Sequence, residues 1–271
     1  MKLSKKTGFV LGIILVGAVL LVSHQPQSDA QSNQIPITGQ NASTTDSTVP
    51  FLSATISDVS GRVSSKQAGD KDFSNASLGT VLQPLGQVKT LDDGRARLDL
   101  SSGTIVRVAP SSLFTLESNT PVQDGLSTVL NLDLGKLFII LNGGSLDVKT
   151  PSGVASVHGS YMMVSIDPYF QTTIITCLEG HCSAENPAGT IYLTTGQKGI
   201  LYFSSNGKFT KPIITKMTQD DYNTWAINSP ESKTLMSSLG ISYTSQSNQG
   251  NNQNCPKSRA KGCDDHPGKD K

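Results

Sequence analysis

Four histidines are the only residues of the type that proteins use most often as a general base: His24, His158, His181 and His266. His24 and His266 lie in polar segments near the two ends of the chain. His158 stands in the run Ser156-Val157-His158-Gly159-Ser160, where a Ser–His pair would have to come within hydrogen-bond reach. Because neighbouring side chains of an extended segment point to opposite faces, this run does not predict a catalytic histidine.

Paired acidic residues could supply acid–base or metal chemistry, but each pair has a structural explanation. The pairs Asp92-Asp93, Asp220-Asp221 and Asp264-Asp265 fall in a turn, at a helix start and in a polar tail. Aspartate in such places caps a helix or stabilises a turn. The sequence has no phosphate-binding GxxxxGK[ST] or GxGxxG loop, and Asn142 to Ser145 predicts a hairpin turn. We therefore expect no catalytic residue, no cofactor and no enzyme activity.

The four cysteines form two close pairs, and the first pair predicts a local disulfide. Leu178-Glu179-Gly180-His181 separates Cys177 from Cys182, which suits a hairpin whose two strands bring the thiols together. Zinc is the alternative, since Cys177, His181 and Cys182 are all of zinc-ligand type. Adjacent His181 and Cys182 cannot easily converge with Cys177 on one ion, so we expect the disulfide and no metal.

The second pair, Cys255 and Cys263, lies in a polar segment beside Asp264-Asp265-His266. This grouping has some metal-ligand character. An even number of closely spaced cysteines in an exported chain is more typical of disulfides. We expect Cys255 and Cys263 to be joined as well.

Export is predicted by the N-terminus, where Lys2, Lys5 and Lys6 precede an apolar run from Phe9 to Val22. At 1.5 Å per helical residue these fourteen residues span roughly 21 Å, less than the roughly 30 Å hydrocarbon core of a bilayer. The run is therefore either a transmembrane anchor over residues 8–23 or a signal peptide cleaved near Ala30. In both cases the lysines stay in the cytoplasm, and the rest of the chain lies in the periplasm or at the cell surface.

Composition argues against nucleic-acid binding. The chain has 271 residues, a formal net charge of +1 and only 16% charged residues. It lacks the basic field that binds a polyphosphate backbone. The length suits one sizeable domain with flanking segments.

Residues 79–203 predict a series of short β-strands separated by glycine-containing turns. Ala96, Leu98 and Leu100 alternate with polar residues, as in a strand with one buried face. The order of strands and turns from there to Leu116 predicts a meander. The segment 137–141 is apolar on both faces and is expected to lie centrally between two layers, as is 172–176.

The predicted fold class is therefore all-β: a two-layer sandwich or roll, or a flattened β-solenoid. Helical patterns are limited to an N-terminal apolar helix and two short C-terminal helices, one capped by Thr218 and one starting at Pro230 and stopping at Gly240. Trp225, the single tryptophan, is expected to pack the first of these onto the sheet edge. The predicted segments are a cytoplasmic stub (1–7), the anchor or signal sequence (8–23), a disordered linker (24–50), the β domain (51–215), the helical appendage (216–244) and a disordered tail (245–271).

The β segment resembles the FecR domain, a family named after the regulator of iron-citrate transport. The resemblance rests on the order of A-x-L-x-L, S-G-T-x-V-x-V, A-P-S-S-x-L, L-x-x-G-K-L, V-K-T-P-S-G-V-A-S-V-H-G-S and C-L-E-G-H-C, which runs roughly from Leu78 to Leu201. In this resemblance His158 belongs to a turn. The most distinctive part is the turn Thr150-Pro151-Ser152-Gly153-Val154 that leads into Val157-His158-Gly159-Ser160.

The resemblance implies a non-catalytic binding or sensing module. In family members that regulate iron uptake, the domain is periplasmic and passes a receptor's signal to a cytoplasmic segment that controls a sigma factor. Only seven residues precede the predicted anchor or signal sequence at 8–23, so we do not expect an anti-sigma role. We expect a membrane-tethered module that recognises a protein or envelope ligand; the alternative is a structural part of an envelope or surface assembly.

Overall fold

The computed structural model of the chain describes residues 53–169, 172–203 and 208–244, all of which lie in the compact unit Thr48–Lys271. The described residues form sixteen strands and two short helices, so the all-β class is confirmed. The elements are β1 (Ala54–Ser60), β2 (Val63–Lys66), β3 (Ser74–Asn75), β4 (Val81–Leu82), β5 (Gln87–Thr90), β6 (Arg95–Leu100), β7 (Ile105–Val108), β8 (Leu113–Val122), β9 (Gly125–Leu134), β10 (Lys136–Ile140), β11 (Ser145–Thr150), β12 (Gly153–Asp167), β13 (Thr172–Asn186), β14 (Gly189–Thr194), β15 (Gln197–Tyr202), β16 (Ile213–Lys216), α1 (Gln219–Asn228) and α2 (Glu231–Ser238).

The strands form one continuously hydrogen-bonded sheet that curls like a half-barrel. We divide it into two halves. The first half contains β2, β3, β5, β8, β9, β11 and β14, and the second half contains β1, β4, β6, β7, β10, β15 and β16. The long strands β12 and β13 belong to both, because β12 pairs with β11 through Val154–Val157 and with β10 through Tyr161–Ser165. The prediction of two layers thus corresponds to one curled sheet and not to two separate sheets.

The chain crosses between the halves more often than the predicted meander allows. Strands β6 and β7 pair as a hairpin, but β8 pairs with β5 and β9 in the first half. The predicted hairpin turn at residues 142–145 is also wrong, since β10 and β11 lie in different halves and do not pair. Turn residues reveal where a strand stops, whereas the partner of the next strand depends on packing.

One apolar core lies inside the curl and is built by both halves. Phe114, Leu130 and Leu146 come from the first half, and Leu98 and Ile139 from the second. Each is essentially inaccessible to solvent. Burial of a side chain of this size stabilises a fold by roughly 1.5–3 kcal/mol, so this alternating inward face is what holds the curl closed.

A second apolar cluster covers the outer face of the second half with the two helices. Phe138 and Met163 of the sheet pack against Trp225, Ala226 and Met236 of the helices. Leu137 and Ile139 point inward while Phe138 points to the helices, which confirms that segment 137–141 is buried on both faces. Trp225 therefore packs on the face of the sheet and not at its edge.

Capping and ion pairs fix the helices on this face. Thr218 caps α1, as predicted, and the structure adds a capping box with Asp221. Asp221 also accepts a hydrogen bond from Lys198 of β15 at 2.7 Å. Glu231 in the first turn of α2 accepts a hydrogen bond from Arg107 of β7 at 2.7 Å. Each helix thus has one charged anchor to the strands beneath it.

None of the helices in the described residues is long and apolar enough to cross a membrane. The predicted anchor or signal sequence (8–23), the linker (24–50) and the tail (245–271) with Cys255 and Cys263 lie outside the described residues.

Candidate functional site

The backbone of the sheet is irregular where β12 and β13 change partners together. The register between the two strands shifts between His158 and Met162. Gly159 and Gly180 both have positive φ, at 67° and 88°. At Gly180 an added Cβ would lie 1.8 Å from the Ser160 side-chain oxygen, so the position excludes a larger residue. We call this region, residues 158–162 and 177–182, the stapled bend.

A disulfide joins Cys177 to Cys182 across the bend, with the two Cα atoms 5.9 Å apart. Both cysteines lie in the single strand β13 and are buried. The predicted hairpin between them is therefore wrong: residues 178–181 form a bulge, and β13 continues through them. The bond fixes the angle between the part of β13 that pairs with β15 and the part that pairs with β14.

Three hydrogen bonds also fix the backbone of β13 in the stapled bend. The His181 N–H donates to the Ser160 hydroxyl at 2.8 Å, and the Gly180 N–H donates to the Thr195 hydroxyl at 3.0 Å. The Cys177 carbonyl accepts from the Gly196 N–H at 2.8 Å. The bulge thus keeps its polar backbone groups satisfied, which a rigid bend in a sheet requires.

His158 and His181 lie directly opposite each other on β12 and β13, and both are exposed. The resemblance placed His158 in a turn, but it is a strand residue. Ser156, two residues earlier, shares its outward face because the side-chain period of a strand is two. Ser160 is buried and accepts the bond from the His181 N–H, so it does not pair with His158. In the sequence the two histidines lie in separate segments, and nothing there predicts that they meet.

An open depression of about 270 Å³ lies at the far end of the first half, on β2, β3 and β5. We call it the aromatic depression. It is lined by Arg62, Val63, Ser64, Phe73, Asn75, Lys89 and Leu91. The Nζ atoms of Lys66 and Lys89 lie 5.1 and 6.0 Å from the centre of the Phe73 ring. Two ammonium groups therefore lie close to one aromatic ring, whose quadrupole attracts cations.

The cations around the aromatic depression differ in how they are paired. Arg62 binds the carboxylates of Asp92 and Asp93. Slight desolvation acts to raise the pKa of Asp93, but the hydrogen bonds from Arg62 outweigh it and hold that pKa below its ordinary value. Lys66 and Lys89, by contrast, form no salt bridge with any carboxylate of the described residues. These two charges are therefore available to a negatively charged ligand.

The aromatic depression was not predicted, because its residues are scattered along the chain. Lys66, Phe73 and Lys89 belong to different elements, and the chain as a whole is almost neutral. A single Phe between polar residues, half-buried in the structure and just before β3, was the one local sign of it. Antiparallel pairing, with Ser64 opposite Lys89, brings the group together.

In the second half, polar groups of the strands bind residues of the two helices and do not line an open surface. The Trp225 indole N–H donates to the Thr176 hydroxyl at 2.9 Å, and its ring meets Phe138 edge to face at 5.0 Å. Burial acts to raise the pKa of Glu231, but the hydrogen bonds and charge of Arg107 outweigh it, so that pKa lies below its ordinary value. These contacts account for Trp225 and Glu231 as structural residues.

Beyond the two histidines, potential metal ligands do not cluster in the part of the chain that the structure describes. No group of three or more His, Cys, Asp or Glu side chains there is arranged to hold an ion. The sulfur atoms of Cys177 and Cys182 are committed to their disulfide.

Two solved structures show a weak likeness to the chain, and both are of a candidate anti-sigma factor from Parabacteroides distasonis. Each is 13% identical with a TM-score of 0.43. The likeness covers 52% of this chain and 64% of the first structure, and 58% of this chain and 74% of the second. Similarity at this level is too low to assign a role.

Among curated proteins none matches the chain. A family model does match: the FecR protein family covers residues 86–183. This segment starts just before β5, crosses both halves of the sheet and ends one residue after the disulfide. It is shorter than the segment 78–201 over which the sequence resembles the family. The predicted resemblance is thus confirmed over residues 86–183, which match the FecR protein family.

Proposed function

We propose that the chain is a non-catalytic regulatory module that acts outside the cytoplasm by binding a protein or an envelope ligand. The observation that carries this proposal is the FecR match, which spans the strands of both halves and supports a role in signal transduction. The side chains of the described part suit binding better than catalysis, because the exposed histidines have no partner that could act as a nucleophile.

The aromatic depression is the surface that we propose for ligand contact. It combines an open cavity, an aromatic ring and two cations without a carboxylate partner among the described residues. A negatively charged group on the ligand would replace the missing counter-charge, and Ser64 and Asn75 would offer hydrogen bonds at the rim. Convergence of a few polar groups on a concave apolar surface is typical of binding sites.

Attachment to the membrane is the second part of the proposal. The apolar run at residues 8–23 would hold the module near the outer surface of the cytoplasmic membrane, and residues 24–50 would act as a spacer. Alkaline phosphatase fused after Pro50 is then expected to be active. An inactive fusion would contradict export, and the mass of the mature chain distinguishes an anchor from cleavage near Ala30.

Site-specific photocrosslinking in intact cells tests the binding surface. A photoreactive amino acid replaces Asn75 at the rim of the depression in the full chain. The matched control carries it at Tyr192, which is 76% exposed on β14 at the opposite end of the first half. We expect a discrete adduct from position 75 that disappears in the Lys66→Glu/Lys89→Glu variant.

The other results each have a definite meaning. Adducts from position 192 alone would move the binding surface away from the depression. Adducts from position 75 that persist in the double lysine variant would show that charge does not guide the ligand. If neither position gives an adduct, and deletion of the protein does not change gene expression, a purely structural role in the envelope would be favoured.

A further inference from the structure

We propose that His158 and His181 form a two-histidine site for a divalent transition-metal ion on the outer face of the sheet. This inference is independent of the aromatic depression, which lies at the other end of the first half. It rests on the register of β12 and β13, in which the two residues are direct cross-strand partners.

The geometry suits a chelate. Directly opposed residues of an antiparallel pair point to the same face with Cβ atoms about 4.5–5.5 Å apart. Two imidazoles at that separation can converge on one ion with metal–nitrogen distances of about 2.0–2.1 Å. Both residues are exposed, so an ion can enter from solvent.

The imidazoles are also free to act as ligands. Neither side chain takes part in a hydrogen bond or an ion pair with the residues that the structure describes. The nearest residue of the third strand, Thr194 opposite His181, carries no charge that would repel a cation. Imidazole is a preferred ligand of Zn²⁺, Ni²⁺ and Cu²⁺, so the site is expected to take these ions and not Mg²⁺ or Ca²⁺.

The stapled bend fixes the backbone next to the pair. Cys182 adjoins His181 and is held by the disulfide, and the His181 N–H is held by the Ser160 hydroxyl. Less backbone freedom is then lost when the ion binds. Since no third His, Cys, Asp or Glu of the described residues joins the pair, water would complete the coordination sphere, and the ion would remain exchangeable.

Titration of the full, detergent-solubilised chain with Ni²⁺ and with Zn²⁺ tests the proposal by calorimetry. The parent protein carries His24→Asn and His266→Asn, which removes the other two histidines of the chain. We expect one ion per chain. His158→Asn and His181→Asn are each expected to weaken binding at least tenfold while leaving the thermal unfolding midpoint of the metal-free protein unchanged.

A transplanted pair provides the matched control. Ser156 and Ser183 are also direct partners, two positions further along the same strands and therefore on the same face. In a protein that lacks both histidines, Ser156→His with Ser183→His is expected to restore binding, whereas Ser183→His alone is not. Each metal is also expected to raise the unfolding midpoint only in proteins with a complete pair.

Two results would overturn the site. One is a parent protein that binds neither Ni²⁺ nor Zn²⁺. The other is binding of equal strength after His158→Asn or His181→Asn, which would place the ion elsewhere, for example at Asp264 and Asp265. Mg²⁺ serves as the negative control, and equally strong binding of Mg²⁺ would contradict histidine ligation.

Discussion

The two halves of the sheet use their outer faces in opposite ways. In the second half the outer face is covered by α1 and α2, so strand β10 is buried on both sides. In the first half the outer face is open and carries the aromatic depression at one end and the His158–His181 pair at the other. The covered face is where substitutions should affect stability, and the open face is where they should affect binding.

The largest effect is expected for Ile139→Asp, whose side chain points into the core on the inner side of the covered strand β10. Ile139 is fully buried between β7 and β12, and an unpaired carboxylate there costs several kcal/mol against a total stability of roughly 5–15 kcal/mol. We expect the variant to be unfolded by circular dichroism and rapid proteolysis. Tyr192→Asp on the open face is the control and should remain folded. A folded Ile139→Asp protein would show that the central strand is misassigned.

Trp225→Ala is expected to have the next largest effect. It removes the contact with Phe138 and leaves a cavity beneath α1, which costs about 3–5 kcal/mol. The midpoint and slope of urea unfolding, followed by far-ultraviolet circular dichroism, give the free energy of unfolding. Tyr192→Ala, an exposed aromatic of the first half, should change it by less than about 0.5 kcal/mol. Equal losses in the two variants would remove the distinction between the faces.

The anchor of α2 predicts a dependence on pH. The pKa of Glu231 is lowered in the folded protein, so its contribution to stability is present above the ordinary glutamate pKa and is lost as the pH falls through the lowered value. Glu231→Gln is expected to cost about 1.5–3 kcal/mol at pH 7, and the difference from the wild type should shrink below pH 4.5.

Urea unfolding at pH 7 and pH 3 measures this convergence. Asp124→Asn is a suitable control, since Asp124 is exposed and forms no salt bridge with the described residues. It should give the same small difference at both pH values. A Glu231→Gln penalty that stays constant with pH would show that the carboxylate charge does not anchor α2.

The smallest effect is expected at the disulfide. The bond between Cys177 and Cys182 closes a very short loop, so the chain-entropy gain is only about 2 kcal/mol. Replacing both cysteines by serine should cost roughly that or less and leave the protein folded. A non-reduced digest should contain the linked peptides. Two freely alkylated thiols at these positions would rule the bond out, and a loss as large as that of Trp225→Ala would mean that the bend supports the whole sheet.

The sequence predicted local features well where one segment decides the outcome. Thr218 predicted the start of α1, because an N-cap involves only the residues of the first helical turn. The apolar character of 137–141 on both faces predicted a central strand, since any exposed position there would leave a large apolar side chain in water. Turn-forming residues predicted where many of the strands end.

Features that depend on distant partners were missed. The bulge between Cys177 and Cys182 has the length and glycine of a hairpin, and only the pairing of β13 with β12 on both sides of it makes it a continuous strand. The aromatic depression joins Lys66, Phe73 and Lys89, which have no common motif.

By itself the sequence determined the β class, the two short C-terminal helices and the close cysteine pairs, because periodicity, capping and spacing act over a few residues. The order of its motifs carried the FecR resemblance. The tertiary structure decided which strands pair, which face the helices cover and where His158 meets His181. The register of a sheet is set by the burial of one whole face against another. The free energy of that burial arises only when the strands are assembled, so no single segment predicts it.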